Sequence, residues 1–131
     1  RRPVDSRNPF LFHKTTNRRT YRTALRECPG YDDVLLWNER GEVTETTIAS
    51  VFIELDGVLI TPPVSCGLLP GIYRNRMVAE GRARERTVRL DELARCRRII
   101  LANSVRGEWQ AHLTLTAAGQ NTERKQTREA V

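Results

Sequence analysis

The sequence predicts one domain of the α/β or α+β class with a mostly β core. The chain has 131 residues, which is the length of a single domain. Hydrophobic residues make up 39% of the chain, enough to bury a core. Short apolar runs between turn residues also outnumber the segments in which apolar residues recur at helical spacing.

The first predicted elements are a linker and a helix. Residues 1–9 combine proline, serine and charged residues, and we expect a linker there. A helix is predicted over 16–27, because Tyr21, Ala24 and Leu25 follow helical spacing and Pro29 with Gly30 ends the segment.

Short strands are predicted next, at 34–37, 42–44, 50–55 and 58–61. The last two flank Asp56 and Gly57, a pair that favours a two-residue hairpin turn.

The second half is predicted to alternate helices and strands before a polar end. Leu69, Tyr73 and Met77 lie at steps of four in a helix that opens over 67–71 and ends at Gly81. We expect a strand at 87–90, a short helix at 91–95, a buried strand at 98–102, and a frayed polar tail over 116–131.

Composition argues against several functional classes. The net charge is +6, but the arginines are scattered among acidic residues and no nucleic-acid-binding signature is present, so a solvated surface is favoured. No apolar run approaches the roughly 18 residues that span a bilayer. Three widely spaced cysteines and two histidines predict no metal site and favour a reduced, cytoplasmic setting.

The two lysines of the chain are informative because arginine supplies the other 20 of its 22 basic residues. Arginine can replace lysine as a surface charge but not as an amine nucleophile. Lys125 lies in the polar tail, whereas Lys14 follows an apolar run and precedes the first predicted helix. Lys14 is therefore the candidate for amine chemistry, the alternative being an ordinary surface lysine.

Three further features suit a phosphorylated aldehyde cofactor. Glu45 follows a strand in a Thr-rich turn, and a carboxylate there could keep a pyridine nitrogen protonated. The helix that begins near Gly71 has free N–H groups for a phosphate, and Ser104, after a buried strand, offers a hydroxyl. Taken singly, each feature also fits an ordinary turn carboxylate, helix start or strand end.

Four motifs, in order, resemble the fold type IV pyridoxal-phosphate enzymes, which include branched-chain and D-amino-acid aminotransferases and 4-amino-4-deoxychorismate lyase. They are HKTTNR at 13–18, NERGEVTE at 38–45, TPP at 61–63 with GLLPGI at 67–72, and LANSVRG at 101–107. The resemblance covers roughly residues 8 to 110. The sequences of these motifs are most similar to those of the lyase domain fused behind aminodeoxychorismate synthase component I.

The resemblance implies a role for each candidate residue. Lys14 would join the aldehyde of pyridoxal 5'-phosphate, and Glu45 would pair with its ring nitrogen. The amides of Ile72 and Tyr73 and the hydroxyl of Ser104 would bind the phosphate. Two positions depart from the family: Ser50 stands where many members carry Asn, and Tyr73 replaces the usual Thr or Met.

The resemblance also implies the architecture and the activity. Residues 10–115 would be the large C-terminal domain of the D-amino-acid aminotransferase-like fold, a β-rich pseudo-barrel with flanking helices. Residues 1–9 would be the interdomain linker, with the small N-terminal domain absent.

The implied reaction is elimination of pyruvate from 4-amino-4-deoxychorismate to give 4-aminobenzoate for folate synthesis. The alternatives are an amino-acid aminotransferase and a non-catalytic remnant that self-associates. Implied partners are a small amino substrate, a second copy in a homodimer, and a fused or associated synthase component.

Overall fold

The computed structural model describes residues 3–8, 19–115 and 122–130, and its main element is one eight-stranded sheet. Within these described ranges two helices accompany the sheet, together with 3-10 turns at Val64–Cys66 and Leu90–Arg95. In chain order the elements are α1 (Arg19–Arg26), β1 (Asp33–Trp37), β2 (Val43–Thr46), β3 (Ser50–Leu55), β4 (Val58–Thr61), α2 (Ile72–Ala79), β5 (Arg84–Glu85), β6 (Ile99–Asn103), β7 (Gly107–Leu115) and β8 (Thr122–Ala130).

The strands lie in the order β2-β1-β8-β7-β6-β3-β4-β5. Every neighbouring pair is antiparallel except β4 with β5, which is parallel. This sheet-rich mixture of strands and helices confirms the predicted fold class. Among the described residues no helix is both long and apolar enough to cross a membrane.

The predicted hairpin of β3 and β4 is confirmed. Asp56 and Gly57 have φ angles of 50° and 77°. Positive φ at both central residues is what a type I′ turn requires, and this turn matches the twist of the flanking strands. The turn sets the register that pairs Ile53 with Ile60.

The sheet buries apolar side chains on both faces. Along β3, Val51 and Ile53 belong to the largest core cluster, whereas Phe52 packs in another cluster with Met77 of α2 and Ile100. This alternation follows from the two-residue period of a strand. A third cluster packs Tyr21, Ala24 and Cys28 from α1 and the following loop against Val34 and Leu36 of β1.

The strand expected at 87–90 is wrong. Val88 is buried and its carbonyl accepts the Val43 amide at 2.8 Å. The next residue, Arg89, forms an isolated bridge with Glu42 and not a continuous ladder. Leu90 already begins a 3-10 turn. The apolar residues therefore mark an anchored loop, and the strand of this region is the polar pair Arg84–Glu85.

Other segments also have different bounds in the structure from those predicted. The second helix begins at Ile72, after the 3-10 turn Val64–Cys66 and its C-cap Gly67, which has a φ of 100°. Of the helix expected over 16–27, residues 16–18 lie outside the described residues and α1 runs Arg19–Arg26. The expected polar tail instead contributes Thr122–Ala130 as a strand between β1 and β7. Strand pairing uses backbone groups that polar residues also carry.

Candidate active site

A cleft of about 330 Å³ opens where the end of β2, the end of β6 and the N-terminus of α2 meet. Of the five residues singled out by the sequence, Glu45, Ile72, Tyr73 and Ser104 line this cleft. Lys14 lies outside the described residues. The structure thus brings four candidates to one place, while their individual roles stay predictions.

Glu45 is a buried carboxylate in the wall of the cleft, with 5% of the residue exposed. The Tyr21 hydroxyl donates to its Oε2 at 2.8 Å. The Leu69 backbone nitrogen lies 3.4 Å from both carboxylate oxygens. Two groups far from Glu45 in sequence therefore hold the carboxylate in a defined position.

The Thr-rich turn after Glu45 is a structural support. Thr46 Oγ1 accepts the Ala49 amide at 3.0 Å, and the Thr46 amide donates to the Ala49 carbonyl at 3.0 Å. The Thr47 hydroxyl and amide both donate to Oδ1 of the fully buried Asp33, at 2.5 and 3.0 Å. These bonds fix the backbone immediately after Glu45, because they close the turn on itself and tie it to β1.

The opposite part of the cleft is the N-terminus of α2. Gly71 is the N-cap and supplies no side-chain cap, and the first-turn amides of a helix have no intrahelical acceptor. A Cβ at Gly71 would stand 3.1 Å from Ser50 Oγ, so glycine permits a close approach of α2 to β3. Uncapped amides and the helix dipole make this end suitable for an anion.

The turn after β6 carries Ser104 to the cleft. Asn103 shapes this turn, because its Oδ1 accepts the amides of Val105 and Arg106 at 3.0 and 2.8 Å. Its Nδ2 donates to the Ile48 carbonyl at 3.0 Å and so joins the turn to the one that follows β2. Ser104 is itself exposed, so its hydroxyl is accessible from the cleft.

The Tyr73 side chain makes a contact of its own beside the cleft. Its hydroxyl donates to Glu108 Oε2 at 2.5 Å, and Arg82 Nη2 donates to both Glu108 oxygens at 2.7 and 2.9 Å. Sharing its proton with the Glu108 carboxylate raises the pKa of Tyr73. Burial alone would raise the pKa of Glu108, but the bonds from Tyr73 and Arg82 outweigh it and lower that pKa. Tyr73 thus lines the cleft while its hydroxyl is bonded to β7.

Sequence reasoning missed Tyr21 and Arg74 as site residues. The helical spacing predicts Tyr21 only as an apolar position of a helix, although a buried tyrosine hydroxyl usually has a polar partner. Arg74 follows Tyr73 directly, lines the cleft and is 2% exposed. Its burial could not be read from the sequence, because the other arginines whose exposure the structure describes all lie at the surface.

Comparison with known proteins identifies the family. The model of the amino-transferase class IV family matches residues 1–113. The chain belongs to this family. It is therefore part of an enzyme of fold type IV, a family whose members depend in general on pyridoxal phosphate.

Three relatives illustrate the similarity. A Schizosaccharomyces pombe protein named "Putative aminodeoxychorismate lyase" is 37% identical over 107 residues, covering 76% of this chain and 46% of that protein. A "Putative amino-acid aminotransferase" from Mesorhizobium loti has a TM-score of 0.81 and 44% identity, with 87% of this chain and 56% of that one covered. A "Putative 4-amino-4-deoxychorismate lyase" from Legionella pneumophila has a TM-score of 0.75 and 30% identity, with 82% and 43% covered. The chain thus spans about half the length of these relatives.

The described residues fit pyridoxal phosphate. A buried carboxylate suits a protonated ring nitrogen, and an uncapped helix N-terminus suits a phosphate. Both occur here in one cleft, as Glu45 and the first turn of α2, with the exposed Ser104 beside them. When the cofactor is bound, these residues would supply one partner for each of its charged ends.

Proposed function

We propose that the chain is the cofactor-binding domain of a pyridoxal-phosphate-dependent lyase that converts 4-amino-4-deoxychorismate to 4-aminobenzoate and pyruvate. The observation that carries the cofactor part is the buried Glu45 carboxylate in the same cleft as the uncapped N-terminus of α2. The choice of lyase is supported by the similarity to the S. pombe protein and by the HKTT and NSxRG motifs.

The residues of this chain would hold the cofactor at both ends. The amides of Ile72 and Tyr73 and the hydroxyl of Ser104 would donate to the phosphate. The Glu45 carboxylate, held by Tyr21, would accept the ring N–H and keep that proton in place. Pyridoxal phosphate, when bound, withdraws electrons from the substrate carbon that bears the amine.

Lys14 would supply the mobile proton. Its Nζ would hold the cofactor at the aldehyde when no substrate is present, and would be free when substrate is bound. The freed amine would then act as the base and acid at substrate carbon. Arginine could do neither, since its guanidinium stays protonated.

The test is covalent trapping of the cofactor. The 131-residue chain is mixed with pyridoxal phosphate, reduced with borohydride and digested, and the modified peptide is identified by mass spectrometry. We expect the adduct on Lys14 and its loss in Lys14→Arg, with Lys125→Arg as the matched control that keeps it. An adduct confined to Lys125 or the N-terminus would reject the assignment. Absence of any adduct on a folded chain would favour the non-catalytic remnant.

A second candidate function is an amino-acid aminotransferase. The exposed large hydrophobic residues in the described part of the chain are Ile48, Ile72 and Val105, and all three line the cleft. An apolar mouth suits a substrate with an apolar side chain better than a dicarboxylate. The M. loti structure, 44% identical, carries an aminotransferase name.

Product analysis separates the two reactions. The protein that contains this chain is supplied with 4-amino-4-deoxychorismate, or with a branched-chain amino acid and a keto-acid acceptor. Formation of 4-aminobenzoate and pyruvate supports the lyase, whereas formation of the branched-chain keto acid supports the aminotransferase. Glu45→Ala should slow either reaction mainly in kcat, because the carboxylate acts on the step that develops carbanion character.

A further inference from the structure

Arg74, the third residue of α2, is tied to the sheet by its side chain. Its Nη2 donates to the Pro62 carbonyl at 3.0 Å and to the Glu85 carboxylate. Its Nη1 donates to Asn75 Oδ1 at 2.8 Å. Pro62 directly follows β4 and Glu85 lies in β5, so one side chain joins the first turn of α2 to two strands.

The preceding residue holds the same turn from another side. Tyr73 bonds to Glu108 of β7, and Glu108 is held in turn by Arg82. Two consecutive side chains thus attach the first turn of α2 to separate parts of the sheet. The same turn carries the uncapped amides of Ile72 and Tyr73.

Stability alone is a weak reason for burying this arginine. The Arg74 side chain is 3% exposed and its Nε has no hydrogen-bond partner in the described structure. Buried ion pairs can often be replaced by apolar residues without loss of stability, because burial removes the charges from water. Glu85 also balances its charge, so the distinctive contribution of Arg74 is the position that it gives to the helix.

We propose that Arg74 is a positioning residue for the phosphate site. It acts through α2, by keeping the amides of Ile72 and Tyr73 directed into the cleft. This inference rests on the proposed cofactor function. The phosphate would be bound by the directed amides of α2, whereas the pyridine ring and the aldehyde would not. Loss of Arg74 should therefore weaken phosphate recognition selectively.

The experiment compares pyridoxal phosphate with pyridoxal, which lacks the phosphate, as ligands of the same chain. The ratio of the two dissociation constants isolates the phosphate contribution, since the ring and the aldehyde are common to both. In Arg74→Met we expect the preference for pyridoxal phosphate to fall roughly tenfold or more, as when supporting residues of a bound group are removed. Arg76→Met, at an exposed position of the same helix, removes the same charge and should leave the ratio unchanged.

The outcomes distinguish this inference from the proposed function. If wild type does not prefer pyridoxal phosphate, the proposed cofactor site fails, and the inference fails with it. The inference alone is overturned if wild type prefers pyridoxal phosphate and Arg74→Met keeps that preference. It is also overturned if Arg74→Met weakens the binding of both ligands by the same factor, since the ratio of the dissociation constants is then unchanged. If Arg74→Met does not fold, as judged by circular dichroism, the variant Glu85→Gln is used instead, because it weakens the Arg74–Glu85 ion pair from the half-exposed Glu85 side. Glu85→Gln must then lower the ratio, or the inference is rejected.

Discussion

Replacing Tyr21 with phenylalanine isolates the bond that holds the Glu45 carboxylate. The hydroxyl and Glu45 Oε2 are 2.8 Å apart, and the two residues are 8% and 5% exposed. A hydrogen bond to a charged group contributes about 1.5–3 kcal/mol, and water cannot easily replace it at this depth. Allowing for relaxation around Glu45, we expect a coupling free energy of about 1–2 kcal/mol between Tyr21 and Glu45.

The assay is a double-mutant cycle. Free energies of unfolding are measured by urea denaturation for wild type, Tyr21→Phe, Glu45→Ala and the double variant. The control cycle uses Tyr73→Phe, which removes the same hydroxyl from another cleft tyrosine whose partner is Glu108. That control should couple to Glu45 by less than about 0.5 kcal/mol. A Tyr21–Glu45 coupling as small as the control would refute the reasoning, because the bond would then not orient the carboxylate.

Three further predictions concern the stability of the fold. Phe52→Ala should lower the free energy of unfolding by about 3–5 kcal/mol in urea, because Phe52 is 0% exposed and its loss leaves a cavity. Gly71→Ala should be destabilising, since its Cβ would stand 3.1 Å from Ser50 Oγ, and thermal unfolding should show recovery when Ser50→Ala is added. The Arg86 side chain, chiefly, lowers the pKa of Glu92 below its ordinary value of 4.5. This stabilisation is present above that value and lost as pH falls through the lowered pKa, so the stability difference between wild type and Glu92→Gln should shrink in urea titrations below about pH 4.5.

Elements with strong local signals were predictable from sequence. The Asp56–Gly57 turn is one example, because backbone conformation at two residues sets the hairpin. The strand expected at 87–90 failed for the opposite reason: Val88 is apolar because it anchors a loop in the core. The strand Thr122–Ala130 has no alternating apolar pattern that would predict it. It is a strand because its backbone pairs with β1 and β7.

The candidate site divides in the same way. Glu45, Ile72 and Ser104 lie in motifs and Tyr73 directly follows one, and the structure places all four around one cleft. Their supports could not be predicted, because each support is a contact across the fold. Tyr21 and Glu45 are 24 residues apart, and Tyr73 and Glu108 are 35 apart. A pattern along the chain carries no information on which buried side chains will meet.

One short segment links the two ends of the candidate site. Leu69 contacts the Glu45 carboxylate through its amide, and its carbonyl accepts the Gly71 amide at 2.8 Å, just before α2 begins. Three residues extend over no more than roughly 10 Å, so the carboxylate and the first amides of α2 cannot separate far. Tyr21 holds one end of this arrangement, and Tyr73 with Arg74 holds the other. A ligand with one positive and one negative end would therefore meet two partners whose spacing is set by the backbone, with each partner held in place by a neighbouring side chain.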